Sequence, residues 1–350
     1  MGETSIEWTN RTWNPVTGCT KVSPGCKFCY AERVFPRAYS GMCECGDRIE
    51  AHDHNDPFRP GTPTACLNED CKCVLYRQRV FTEVLTHPDR LDQPLHWRKP
   101  QRIFVNSMSD LFHEDVSDEF IDKVFAVMGL APQHTFQILT KRPERMREYM
   151  NGDYLDRAWK QAPDLAGPDA PFIDWRDPLW HRMYDNVWLG VSAENQQYAD
   201  ERIPLLLQTP AAVRFVSYEP ALGPVLFRRH IDVTRSGVIE GQILVDHISR
   251  LDWIIVGGES GPGARPMHPD WARTVRDQCE EAGVAFFFKQ WGEWFPRDQW
   301  EGNPNLILPD DEDCVEGPRL RLMGPLAFHR VGKKASGALL DGELCREFPK

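Results

Sequence analysis

Three thiols stand close together near the start of the chain, in Cys19-Thr-Lys-Val-Ser-Pro-Gly-Cys26-Lys-Phe-Cys29. Pro24-Gly25 breaks the run, so the chain can turn there and fold the first thiol back onto the other two. A helix-forming stretch follows from Tyr30. Thiolates are soft ligands, and iron–sulfur clusters, zinc and cuprous copper are the centres that soft ligands select. A cubane [4Fe–4S] cluster takes four cysteines when the protein ligates every iron. Three cysteines leave one iron open, and an open coordination position is what separates a catalytic metal centre from a structural one. The alternative on residue types alone is a structural zinc knuckle completed by a distant ligand, because Cys-x-x-Cys is also a zinc half-site.

A second cysteine-rich stretch occupies residues 42–79. Cys43, Cys45, Cys66, Cys71 and Cys73 fall among Gly, Pro, Asp and His, with His52 and His54 between the two cysteine groups. A segment of this length without a periodic apolar pattern needs something other than a core to hold it. Its pattern looks like a small zinc ribbon, with an additional iron–sulfur cluster and unligated thiols as the other readings. Cys279, Cys314 and Cys345 are isolated and read as ordinary thiols.

The elements that must position the first three cysteines follow from hydrophobic patterning. Apolar runs recur at Ile103–Val105, Phe136–Leu139, Val187–Val191, Val213–Val216, Trp253–Val256 and Val284–Phe288. Each is nearly continuous, as expected of a parallel strand buried on both faces. A short strand over Thr12–Val16 leads into Cys19 and makes seven. Helical patterns at Asp118–Leu130, Arg142–Met150, Ala199–Leu207 and Pro269–Ala282 lie between several of them. This alternation predicts an α/β fold with a parallel sheet and right-handed crossovers, and seven strands point to a complete or nearly complete TIM-barrel-like (β/α) barrel. An open doubly wound sheet is the competing architecture, but no Gly-x-Gly-x-x-Gly follows the first strand. The chain reads as one domain over residues 1–350, with the cysteine-rich insertion at 42–79 and irregular insertions at 161–182 and 297–325.

In a parallel barrel the residues just after each strand converge on one face, where active sites form. The strand ends carry Asn106, Ser107, Ser109 and Asp110, then Thr140, Lys141 and Arg142, then Ser192, Glu194 and Asn195. Further along come Ser217, Tyr218 and Glu219, then Glu259 and Ser260, and finally Lys289, Gln290 and Trp291. Polar loops alone explain the serines and asparagines. They explain Lys141, Glu219, Glu259 and Lys289 less well, so these four are the candidate catalytic residues. Gly257-Gly-Glu-Ser-Gly-Pro-Gly263 lacks the Gly-Lys-Ser/Thr ending of a P-loop and reads as a tight turn presenting Glu259 and Arg265.

The chain has 350 residues, 41% hydrophobic and 27% charged, with a net charge of −11. No stretch approaches the roughly 20 apolar residues that cross a bilayer, so no membrane partner is expected. The polar, acidic start, Met1-Gly-Glu-Thr-Ser-Ile-Glu7, lacks the pattern of a signal peptide. A cytoplasmic location is therefore expected, where clustered cysteines mean metal or catalysis more often than disulfides. The negative charge gives no support to general nucleic-acid binding, although a local basic patch is compatible with it.

The run Thr12-Trp-Asn-Pro-Val-Thr-Gly-Cys19 through Cys29-Tyr-Ala-Glu-Arg33 resembles the phage and prophage three-cysteine-motif family, which is similar in turn to the radical S-adenosylmethionine (SAM) enzymes. Further blocks carry the resemblance, among them Phe104-Val-Asn-Ser-Met-Ser-Asp-Leu-Phe-His113, Ile138-Leu-Thr-Lys-Arg-Pro143, Val216-Ser-Tyr-Glu-Pro220 and Arg330-Val-Gly-Lys-Lys334. The usual radical-SAM spacing places three residues between the first two cysteines, whereas six stand here. The resemblance implies a radical-SAM-like barrel with a [4Fe–4S] cluster on Cys19, Cys26 and Cys29, and SAM at the open iron. Ser107, Asp110, Ser192 and Glu219 would lie against SAM. It further implies hydrogen abstraction from a substrate of phage or prophage context, for which a nucleotide or nucleic acid is one candidate. The implied partners are an electron donor and the three-Cys-motif partner protein. The other function class is a non-catalytic, metal-stabilised binding protein of the same family.

Overall fold

The structure, a computed structural model, describes residues 4–39, 80–166, 184–235, 238–299 and 317–349. The insertion with Cys43, Cys45, Cys66, Cys71 and Cys73 lies outside the described residues, and so do Cys314 and most of the other two expected insertions.

Seven strands form the main sheet: β1 (Arg11–Trp13), β2 (Arg102–Val105), β3 (Thr135–Thr140), β4 (Val187–Ser192), β5 (Val213–Tyr218), β6 (Trp253–Gly257) and β7 (Ala285–Gln290). Their order in space is their order in sequence, and every neighbouring pair is parallel. The helices are α1 (Tyr30–Tyr39) after β1, α2 (Asp118–Leu130) after β2, and α3 (Pro143–Met150) with α4 (Tyr154–Ala166) after β3. Then come α5 (Gln196–Leu207) after β4 and α6 (Pro269–Ala282) after β6. Right-handed crossovers between sequential neighbours put the helices on one face, so the sheet curls about the other.

The curl stops at a half-barrel. β1 and β7 are both edges, and no pairing between them exists among the described residues. The expected complete or nearly complete barrel is corrected to an open, curled sheet. One reason is visible at β7, whose free side is taken by another segment. Phe288 N donates to Cys345 O at 2.7 Å and Glu347 N to Phe286 O at 3.0 Å, with an antiparallel bridge between Phe287 and Arg346. A covered edge has no unpaired backbone left for β1.

Three further departures from the sequence reading have local causes. Thr12–Val16 is two strands, because Asn14-Pro15 turns the chain so that Val16–Thr17 pairs with Leu85–Thr86 instead. Gln161–Ala166, expected to be irregular, completes α4, which buries Ala158 and Ala162 and carries Pro163 within it. The expected insertion at 297–325 contributes Leu320–Met323 to a small antiparallel sheet with Leu326–Arg330 and Trp294–Pro296. Between β5 and β6 an antiparallel ribbon, Arg228–Arg235 with Val238–Asp246, stands where a helix would complete the alternation.

The convex side holds the larger core, in which Val124, Phe125 and Met128 of α2 pack with Ile103, Phe136 and Ile138 of the sheet. The concave side has its own aromatic floor of Trp8, Phe215, Trp253, Ile255 and Phe287, with Phe104, Leu139 and Phe348 against it. Gly190 of β4 makes that floor possible. A Cβ there would sit 2.5 Å from the Phe215 ring, which no real contact tolerates.

Candidate active site

The loop that carries the thiols is tied first to the end of β2. Asn14 Oδ1 accepts from Ser107 Oγ and Met108 N, each at 3.1 Å. Asn106 Oδ1 accepts from Val16 N at 3.1 Å, and Ser109 Oγ donates to Val16 O at 2.8 Å. Cys19 N then donates to Phe81 O at 2.9 Å. Pro24–Cys26 form a single tight turn, and α1 begins one residue after Cys29. Pro24-Gly25 thus lies in a turn between the first two thiols.

Four strand ends grip this loop from beneath. At β3, Arg142 donates from Nη1 to Cys19 Sγ at 3.6 Å and from Nη2 to Thr20 Oγ1 at 2.7 Å. Asp110, beyond β2, holds that arginine through Nη1 at 3.2 Å and accepts from Phe112 N, Thr140 Oγ1 and Lys141 N as well. At β4, Glu194 is fully buried, accepts from Ser23 Oγ at 2.6 Å, and pairs with the buried Arg202 at 3.2 Å. Gly25 passes so close that a Cβ on it would lie 2.5 Å from the Glu194 side chain. At β6, Glu259 receives Arg265 through Nε at 2.8 Å and Nη2 at 2.6 Å, and the same Nη2 donates to Pro24 O at 3.0 Å.

The electrostatics differ between the thiols. Burial pushes Cys19 up to about 11, Asp110 adds to the rise, and Arg142 opposes it. Burial also works against the Cys26 thiolate, but the charge of Lys141 and hydrogen bonds from Val22 and Ser23 together bring it below the ordinary thiol value. Burial disfavours the Arg142 charge, and Asp110 and Cys19 more than compensate, so the guanidinium stays protonated.

Across from the loop, Lys289 of β7 places Nζ 2.8 Å from both oxygens of Glu219, and Gln290 Nε2 lies 3.3 Å from one of them. Lys141 reaches Ser192 Oγ at 3.2 Å. All of this surrounds one cavity of about 310 Å³, lined by Cys19, Cys26 and Cys29 together with Ser107, Asp110, Lys141, Ser192, Glu219, Glu259 and Lys289. Every candidate residue on the described part of the chain thus faces a common space, whose apolar floor includes Trp8, Phe104 and Leu139. Ser107, Asp110, Ser192 and Glu259 are engaged with the protein itself, and Asp110, Ser192 and Glu259 are buried, whereas Glu219, Lys141 and Lys289 combine partners with partial exposure.

Arg142 and Glu194 were legible as strand-end residues, but nothing in the sequence gave them a role. Their direct grip on the cysteine loop depends on side-chain direction. Arg265, expected beside Glu259 after the glycine-rich turn, completes that grip together with Ser23, which carried no signal beyond position. Two buried amide atoms at the wall, Asn106 Nδ2 and Gln290 Oε1, have no hydrogen-bond partner among the described residues. Among the described residues, no three Cys, His, Asp or Glu side chains are grouped to hold a single metal ion. No helix among these residues is long and apolar enough to cross a membrane.

A family model described as "Protein of unknown function (DUF5131)" matches residues 3–349. Comparison with curated proteins and with solved structures gave no match.

Proposed function

The chain belongs to the DUF5131 family, and we propose that it is a radical-SAM-like iron–sulfur enzyme whose Cys19, Cys26 and Cys29 hold a [4Fe–4S] cluster in the mouth of the half-barrel. The observation that carries this reading is that three thiols on one loop line a single cavity with Lys141, Arg142 and the Lys289–Glu219 pair from other strand ends. Three thiols on the lining of one cavity are the soft donors that an iron–sulfur centre would take. Lys141 and Arg142 supply positive charge where three thiolates would otherwise repel one another.

The cavity also suits a small organic cofactor. Its volume falls at the lower end of the range for ligand pockets, its floor is apolar, and polar and charged groups converge on it from the strand ends. Asn106 Nδ2 and Gln290 Oε1 are buried at its wall without a hydrogen-bond partner among the described residues, which is unusual for buried amides. Glu219 and Ser192 would accept from hydroxyl or ammonium groups, and Lys141 would face a carboxylate.

Cys19, Cys26 and Cys29 would hold the cluster, and with SAM bound there it would supply reductive cleavage and abstraction of hydrogen from a substrate in the cavity. The protein's part is to fix the loop through Glu194, Arg142 and Arg265, orient the ligand between β4 and β7, and keep water from the floor. A substrate of phage or prophage context, an electron donor and a three-Cys-motif partner protein accompany this proposal by resemblance, and a cytoplasmic site of action and zinc in the insertion accompany it on the sequence pattern alone. The test is anaerobic reconstitution of the full chain, with iron and sulfide analysis and measurement of 5′-deoxyadenosine formed from SAM. A fully loaded protein that neither binds nor cleaves SAM would move the assignment to a metal-stabilised binding protein.

A further inference from the structure

Arg142 has a geometry that a purely structural arginine does not need. Its side chain is only 10% exposed, and all three guanidinium nitrogens are used. Nε donates to Glu114 Oε2 at 2.8 Å, Nη2 to Thr20 Oγ1 at 2.7 Å, and Nη1 is shared between Asp110 Oδ2 at 3.2 Å and Cys19 Sγ at 3.6 Å. Two carboxylates and a hydroxyl would hold the arginine in place without the sulfur. Instead one N–H is aimed at the thiol, and its fork spans the Cys19-Thr20 step from the end of β3.

We infer that Arg142 is a positioning residue of the iron–sulfur centre, fixing Cys19 toward the cavity and raising the centre's reduction potential. The inference rests on the cluster reading given above. One-electron reduction adds a negative charge to the centre, and a fixed cation hydrogen-bonded to a ligand sulfur favours that added charge. In a half-buried site this interaction is screened less than at the surface. Asp110 and Glu114 hold the guanidinium, so it cannot swing away when the charge on the centre changes. Lysine could keep the charge, but it lacks the planar fork that binds Thr20 and Cys19 together.

The experiment is a redox titration of the anaerobically reconstituted full chain, followed by electron paramagnetic resonance and visible absorbance. Wild type, Arg142→Gln and Arg142→Lys are compared after iron and sulfide analysis. Arg142→Gln should shift the reduction equilibrium at least tenfold toward the oxidised state, which is about 59 mV for one electron. Arg142→Lys should recover most of that shift. Equal iron content with an unchanged potential in Arg142→Gln would overturn the inference while leaving the cluster intact. A wild-type chain that takes up no iron would instead remove the cluster reading on which it rests. If Arg142→Gln fails to load, Thr20→Val decides. It keeps the charge and removes one anchor, so a broadened or shifted resonance signal supports the positioning role, and a signal identical to wild type overturns it.

Discussion

The Ser23 hydroxyl donates to Glu194 Oε1 across 2.6 Å, anchoring the turn between the first two thiols to a fully buried carboxylate at the end of β4. Gly25 is required for that approach. Gly25→Ala should force the turn away from Glu194 at a cost of roughly 1–3 kcal/mol. Reconstituted iron content should fall well below wild type while far-ultraviolet circular dichroism stays unchanged, and full loading would show that the turn has room to spare.

Cys19, Cys26 and Cys29 should behave as one ligand set. Replacing any one of them with Ala is expected to abolish the brown chromophore of the reconstituted protein. Absorbance with iron analysis checks this, and full iron in all three single variants would exclude the assignment.

Glu219 faces the cavity while held by Lys289. Glu219→Gln should weaken SAM binding by about ten- to a hundredfold, the equivalent of losing a hydrogen bond to a charged group worth roughly 1.5–3 kcal/mol. Calorimetry on protein of equal iron content measures it. Asp110→Asn should act differently, because Asp110 already accepts from four protein donors. Its expected effect is a lower unfolding midpoint before any change in affinity.

Asp341 joins the segment after the small sheet to α6. Hydrogen bonds from Arg273 hold its carboxyl well below the ordinary value of 3.8, helped by Gln299 and Arg276 and opposed by burial. A depressed carboxyl stabilises the fold above its unfolded value, and that contribution is lost as pH falls toward the folded one. The stability gap between wild type and Asp341→Asn should therefore be constant above about pH 5 and shrink below about pH 4. Denaturant unfolding across this range tests it, and a gap that widens in acid would contradict the argument.

The segment from Cys43 to Cys73 should hold metal independently of the first three cysteines. A Cys19/Cys26/Cys29 triple-Ala variant is expected to retain about one zinc, as a four-ligand structural site would. Elemental analysis decides the point, and a metal-free variant would rule out the ribbon reading.

Sequence patterning located β2 through β7 within a residue or two because strands buried on both faces leave continuous apolar runs, as in Trp253–Gly257. It marked α2 and α6 at their observed bounds, where Ser117 and His268 cap the first turns. The ribbon between β5 and β6 was silent because residues such as Ile243 and Leu244 remain exposed, so no burial enforces a pattern. Barrel closure was illegible for a different reason. It depends on who pairs with the edge strands, and the partner of β7 comes from residues 345–347, far along the chain. At the site, strand-end position identified which residues face the cavity. It could not distinguish a carboxylate such as Asp110, saturated by four donors, from one such as Glu219 that remains open to a ligand.

Trp8 and Phe348 lie almost the whole sequence apart, yet both rest on the indole of Trp253, with ring centroids at 6.1 and 5.2 Å. Contacts this distant in sequence form late, because the entropy of closing so large a loop must be met before they contribute. During synthesis the aromatic floor cannot be sealed until residue 348 has left the ribosome, well after the cysteine loop has emerged. The thiols are therefore made long before the floor closes, and a centre assembled in that interval would be enclosed only when the floor closes beneath it.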